Sequence, residues 1–484
     1  MTNNPQSRSL FVVGDDAQSI YGFRGSKIEL ILGFDKLYPN TKEIILNKNY
    51  RSTQPILDLA EKILTHNKSQ KQKNLHTDNQ NNLQVKYYNA FNEKAEAEFI
   101  IKKIISLYAR QENSNDISYN QDTETDSNST LRFESSDDIS NDSIGSMFDS
   151  FLDATNISKF DIGQKLWGSK QDNSYNPNQW QIPTTDWSQI KELDNVAVLY
   201  RTHSQSRAIE ETLIKNRVPY RLVSGTRFLD RKEVRDVLAI LRYISNGQDR
   251  LAFSRFLPLI IDGVGPKTLE KIEVWLTDSD YPLPPKYQSL ILEMLSSIQE
   301  AWTHHDSIID LTKELLESLG YNKYLKNEYP TKDEFIARNE NISEIYSLML
   351  PFDQNSELDL VSRLREFLSQ ILLMSNAETK EGDDNLPKVN LLTLHQSKGL
   401  EYETVFLVGC EDGLLPHQNS FNEDGGIEEE VRLAYVGVTR AKVNLFLSSA
   451  QSRIQFGQIK SNPVSRIFRP FLDTHTKREF IPRY

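Results

Sequence analysis

Apolar residues recur along this chain in distinct rhythms, and each predicts a different kind of element. Leu10 to Val13, Leu83 to Tyr88, Val196 to Tyr200, Tyr220 to Val223 and the two runs inside Val389 to Gly409 are short and β-branched, as in strands buried on both faces. Ile56, Leu59, Ile63 and Leu64 follow helical spacing, as do Phe99, Ile100, Ile104, Ile105 and Tyr108, and residues 207–216 and 231–245. Strands alternating with helices predict an α/β fold with a parallel sheet. From about 250 to 380 the strands vanish, and runs such as SLILEMLSSIQEAW and SRLREFLSQILLM keep only helical periodicity, so a helical insertion domain is expected to interrupt the sheet.

Residues 111–190 carry neither rhythm. They are rich in Ser, Asn and Asp and cannot bury enough apolar surface to offset their ordering entropy, so a disordered insertion is expected. The same segment explains the charge. The whole chain carries a formal net charge of −12, yet residues 111–190 alone hold 14 acidic against 4 basic residues, which leaves the remainder near neutral. A local basic groove for nucleic acid is compatible with that distribution.

Chemistry concentrates at a few places. Leu10 to Val13 ends at Gly14, Asp15 and Asp16, and the following Gln18, Tyr21, Phe23 and Arg24 offer aromatic faces and a flat guanidinium. Such groups stack on bases of any kind, or pack inward at a strand end. Tyr50 and Arg51 repeat the pairing, a ring beside a fork able to bind phosphate oxygens. Far downstream, the polar loop between two predicted strands carries His395, Lys398, Gly399 and Glu401. Residues 428–442, EEEVRLAYVGVTRAK, read as a helix broken near Gly437, with Arg440 projecting from its far end. There it either neutralises a transferring phosphoryl group or caps the helix from the surface.

These stretches, in this order, together with Val196 to Asn246, resemble UvrD/PcrA/Rep-type superfamily 1 DNA helicases over most of the chain outside residues 111–190. The resemblance implies a RecA-like (P-loop NTPase type) sheet domain holding the helical insertion, preceded by a truncated remnant of a first RecA-like domain. The implied boundaries are 1–40 for the remnant, 41–110, 191–249 and 381–484 for the second RecA-like domain, 111–190 for the acidic insertion and 250–380 for the helical domain. Gln18 would sense the γ-phosphate of ATP, Tyr50 would stack on adenine, Arg51 and Arg440 would contact the γ-phosphate, and Glu401 would accept a hydrogen bond from the ribose. Tyr21, Phe23, Arg24 and His395 would touch single-stranded DNA, with Lys398 a weaker candidate. Phe23 stands where the family often has Trp, and Ala17 where it has Asp. Within the helical domain, Ile261 to Ile272 resembles the hairpin of a helix-hairpin-helix facing duplex DNA; it reads equally well as a Gly-Pro turn opening a helix.

No GxxxxGK[ST] phosphate cradle occurs in the 484 residues, nor does the acidic pair that precedes the Gln18 block in the family. The chain is therefore expected to represent the C-terminal two thirds of a 3′ to 5′ helicase, inactive by itself, with ATP and Mg2+ held partly by another polypeptide carrying those motifs. The alternative is a non-catalytic DNA- or protein-binding product of a truncated or split gene. One Cys, Cys410, allows no intrachain disulfide and signals no metal site. No 18-residue apolar run and no apolar signal core occur, which points to the cytoplasm and away from a membrane.

Overall fold

The computed structural model describes residues 10–480 apart from 23–24, 68–69, 72, 110–186, 224–225, 279 and 379–385. The expected disordered insertion thus lies almost wholly outside the described residues, as do Phe23 and Arg24.

Eleven strands are described: β1 (Lys48–Asn49), β2 (His76–Thr77), β3 (Val85–Ala90), β4 (Val196–Tyr200), β5 (Tyr220–Leu222), β6 (Val389–Thr393), β7 (Tyr402–Leu407), β8 (Ala441–Ala450), β9 (Arg453–Gln455), β10 (Gln458–Lys460) and β11 (Thr476–Phe480). Seven of them form one sheet in the order β11-β3-β8-β7-β4-β6-β5. Every pairing in it is parallel. Both β4 and β6 are buried at every position, because helices cover both faces of a parallel sheet and leave no solvent side on which polar residues could alternate. The α/β expectation therefore holds.

The helices Gln54–Leu64, Glu93–Ile104, Ser206–Lys215 and Gly426–Val438 belong to the sheet region. Their starts are locally specified. Asn92 caps the second of them by accepting a hydrogen bond from the Ala95 amide at 2.9 Å, worth about 1 kcal/mol. Ile56, Leu59, Ala60, Ile63, Leu392, Leu407, Val431, Leu433 and Val436 meet in a continuous core that also takes in Ala17 and Ile20.

Between β5 and β6 the chain is helical, from Lys232–Ser245 to Leu360–Glu378. It builds its own core around Phe253, Phe256, Leu311, Leu315, Ile345 and Phe367. Gly263 adopts φ +83°, a left-handed value that favours glycine. Gly265 then caps the helix Pro266–Thr277, with Pro266 in its first turn.

One predicted strand is absent. Leu10 to Val13 pairs with no described residue and runs as irregular chain, with Leu10, Phe11, Val12 and Val13 exposed by 63, 86, 56 and 76%. An apolar run becomes a strand only when a neighbour completes its hydrogen-bond ladder, and no described residue supplies one. The following residues do find partners. Ala17 and Ile20 are fully buried.

Candidate functional site

Asn49 turns the chain ahead of the helix Gln54–Leu64: its Oδ1 accepts hydrogen bonds from the amides of Arg51 at 2.8 Å and Ser52 at 2.9 Å. The turn is riveted to the amino end of β8, where Ser52 Oγ donates to the Ala441 carbonyl at 2.7 Å and the Thr53 amide donates to the Lys442 carbonyl at 3.1 Å. Tyr50 is thrown outward, 85% exposed, with Lys48 Nζ 5.4 Å from the centre of its ring. Arg51 points back across the turn. Its Nε donates to Glu401 Oε2 at 2.6 Å and its Nη1 to the Thr439 carbonyl at 3.4 Å.

Arg440 arrives at the same place from the other side. Sequence reasoning expects it to project from the helix end, but its side chain is only 1% exposed. The guanidinium folds back to donate to the carbonyls of Val436 (2.9 Å) and Leu400 (3.0 Å) and to Thr439 Oγ1 (3.1 Å). The reason is local: one residue past the cap, a five-donor fork reaches a helix carbonyl, the cap hydroxyl and the Leu400 carbonyl of the adjoining loop at once. Burial first, and the neighbouring Arg51 charge second, push Arg440 down to about 10, which leaves it charged at neutral pH. Both arginines thus touch Thr439. Glu401 completes the group, its Oε1 accepting from Lys442 at 2.8 Å. The hydrogen bonds from Lys442 and then Arg51 hold its carboxyl down at about 2.

The Gln18 turn is held by contacts with the Lys71 amide and the charged Lys73. Asp15 caps the short helix Asp16–Gln18 by accepting from the Ala17 amide at 3.0 Å, and its other oxygen accepts from Gln18 Nε2 at 2.7 Å. Lys73 binds Asp15 and also Asp16, the latter at 3.0 Å. Burial alone would raise the Asp16 carboxyl, but the Lys71 amide and Lys73 outweigh it and hold it low. Tyr21 lies against the polar loop: its hydroxyl donates to the His395 carbonyl at 3.3 Å, and the two rings are 6.3 Å apart. Lys398 Nζ donates to the Gln18 carbonyl at 2.8 Å and stands 4.9 Å from the centre of the Tyr21 ring. The structure therefore draws Gln18, Tyr21, His395 and Lys398 together, and Arg51, Glu401 and Arg440 together. The segment 395–401 joins the two sets, since it carries His395 and Lys398 as well as Glu401.

A family model described as UvrD-like helicase C-terminal domain matches residues 44–124 and 178–452, and one described as UvrD/REP helicase N-terminal domain matches residues 1–39. The chain belongs to the UvrD-like helicase family. It is 32% identical over 488 residues to the ATP-dependent DNA helicase PcrA of Bacillus subtilis (strain 168), covering 96% of this chain and 54% of that protein. Proteins of the same name from Staphylococcus epidermidis (strain ATCC 12228 / FDA PCI 1200) and Staphylococcus aureus (strain MRSA252) are each 30% identical, over 98% and 96% of this chain and 56% and 54% of theirs. The chain spans about half the length of these relatives. Among the described residues of this UvrD-like chain, no helix is long and apolar enough to cross a membrane.

Several groups escaped the sequence reading of this UvrD-like chain. Lys73, Lys442 and Arg432, whose Nε donates to the Ser19 carbonyl at 2.7 Å, are ordinary surface cations in one dimension and become anchors only when distant segments meet. A concavity of about 290 Å³ opens at the carboxyl ends of the strands, with Glu93, Arg207, Glu340, Glu344, His417 and Arg453 on its walls. Its polar walls are paired: Arg207 with Glu344 at 2.9 Å, His417 with Glu340 at 2.9 Å and Arg453 with the buried Glu96 behind it at 2.6 Å.

Proposed function

We propose that this chain supplies the second RecA-like domain, its helical insertion and part of the first domain of an ATP-driven motor that moves 3′ to 5′ on single-stranded DNA and separates duplex. The observation that carries the reading is the meeting of Arg51 and Arg440 at Thr439 beside Glu401. Glu401 offsets only one of the three cations Arg51, Arg440 and Lys442 gathered there, and a triphosphate is an anion able to offset the others. On this reading Arg51 and Arg440 contact the γ-phosphate, Gln18 senses it, Tyr50 stacks on the adenine and Glu401 takes the ribose. Tyr21, Phe23, Arg24 and His395 meet the DNA strand through rings and charge, without base specificity.

Hydrolysis on this reading also needs a GxxxxGK[ST] cradle, which the 484 residues do not contain. Asp15 and Asp16 do not suit magnesium, since Lys73 binds both carboxylates. No group of three or more metal-ligating side chains occurs among the described residues. The phosphate-loop lysine and the magnesium ligands then come from residues beyond these 484, in the same or another polypeptide, and these 484 residues alone turn over ATP negligibly. Steady-state hydrolysis by the purified 484-residue chain, with and without an oligo-dT strand, tests this. No stimulated turnover is expected, and brisk DNA-dependent turnover would overturn it.

A further inference from the structure

One ammonium group connects the two halves of the site. Lys398 Nζ donates to the carbonyl of Gln18 and lies over the ring of Tyr21, so it touches the proposed phosphate sensor and the proposed strand contact at once. Its loop is built to hold it there. Ser397 is fully buried with its Oγ on the Leu394 carbonyl, and Gly399 at φ +89° turns the chain sharply toward Glu401. A single seven-residue segment thus presents His395 to Tyr21, Lys398 to Gln18 and Glu401 to Arg51.

We propose that Lys398 is a positioning residue that transmits strand occupancy at Tyr21 to the Gln18 turn, rather than a contact for strand phosphates. The inference rests on the strand role given to Tyr21 above. An ammonium has three donor directions and is drawn to the negative face of an aromatic ring. When a base stacks on Tyr21 and shifts its ring, the ammonium follows, and its hydrogen bond pulls on the peptide that joins Gln18 to Ser19. The Gln18 side chain is tied independently to Asp15, which Lys73 fixes, so motion of that peptide changes the aim of the Gln18 amide. The half-buried ammonium faces the Gln18 turn, and its bond there competes with any phosphate.

The test uses the 484-residue chain and an oligo-dT of about 16 nucleotides. Backbone amide exchange is followed at residues 16–25 with and without the strand, for the parent, Lys398→Met and Lys398→Arg. In the parent the strand slows exchange near Tyr21 and also at Ala17 to Ser19. In Lys398→Met the second effect falls about tenfold, and Lys398→Arg restores it, since a guanidinium can both donate and stack. The salt dependence of strand binding keeps its slope in Lys398→Met, whereas a lost phosphate contact would flatten it by about 0.7. A slope change of that size, or protection at Ala17 to Ser19 that survives in Lys398→Met or is missing in the parent, overturns the proposal. Where the methionine variant does not fold, Lys398→Gln, which removes the charge and the ring attraction, serves for both measurements. Tyr21→Ala separates the two levels. Unchanged strand affinity in that variant defeats the strand reading and the relay with it, whereas weakened affinity combined with protection that survives in Lys398→Met defeats the relay alone.

Discussion

Two clusters of the same residue types sit at opposite ends of the sheet, and their charge balance differs. At the amino ends of β7 and β8, Arg51 and Lys442 bind one carboxylate, Glu401, whose side chain is 43% exposed, and the buried Arg440 joins Arg51 at Thr439. At the carboxyl ends, one cation, Arg453, lies between two carboxylates, Glu96 and Glu411, with side chains 9, 3 and 1% exposed. The second set is closed. Its remaining acceptor capacity takes the Ala450 amide at 2.6 Å, Ser448 Oγ at 2.6 Å and the Gly409 amide at 3.2 Å. An excess of cations, with Arg51 and Lys442 partly open to solvent, suits an incoming anion, whereas a buried set with every oxygen engaged suits architecture.

Paired substitutions break or sharpen this contrast. The largest effect is expected from Arg453→Met, which leaves two buried carboxylates facing each other without a cation and costs about 3 to 5 kcal/mol. Arg51→Met, the same change in the other cluster, costs about 1 kcal/mol or less. Urea unfolding of both variants checks the pair, and equal losses would erase the distinction. Next comes catalysis in an assembly that includes the phosphate cradle: Arg440→Ala lowers single-turnover hydrolysis about 10³-fold, while oligo-dT affinity stays within about threefold. A matching fall in strand affinity would mean that Arg440 serves mainly to hold the fold. Tyr21→Ala gives the opposite pattern and weakens strand binding by about 1 to 3 kcal/mol, read by fluorescence anisotropy.

The smallest effect is a pH dependence. Hydrogen bonds from Lys442 and Arg51 hold Glu401 down at about 2, from an ordinary value of 4.5, so its folded value lies below its unfolded one. Stability from this group is then complete above about pH 5 and lost as pH falls from 4.5 toward 2. The exposed pair is screened, and the difference between parent and Glu401→Gln stays under about 1 kcal/mol. Unfolding curves at pH 7, 5, 4 and 3 should show that difference constant at the first two and shrinking at the last two. A difference that grows on acidification contradicts the assignment.

The sheet was legible wherever burial alone sets the pattern. The runs at Val196 to Tyr200 and Val389 to Thr393 are apolar enough to be read as strands, and each is buried throughout. Leu10 to Val13 has the same composition and makes no strand, because a strand is a property of its neighbours as much as of its own residues. At the edge, β11 reads TKREF and carries no apolar rhythm to announce it. Arg440 was legible by position and not by pose, since which carbonyls its fork satisfies depends on where Leu400 lies, forty residues earlier. Lys73 gave no signal at all, because its importance comes from Asp15 and Asp16, fifty-eight and fifty-seven residues away.

On the proposed reading, Arg51 and Arg440 share a triphosphate. A crystal structure of the chain assembled with a polypeptide bearing the GxxxxGK[ST] cradle, bound to magnesium and a non-hydrolysable ATP analogue, measures it directly. Arg51 is expected to leave Glu401, and nitrogens of both guanidinium groups are expected to lie about 2.7 to 3.2 Å from γ-phosphate oxygens. An occupied nucleotide site with Arg51 still on Glu401 and Arg440 still confined to the Val436 and Leu400 carbonyls would contradict the claim.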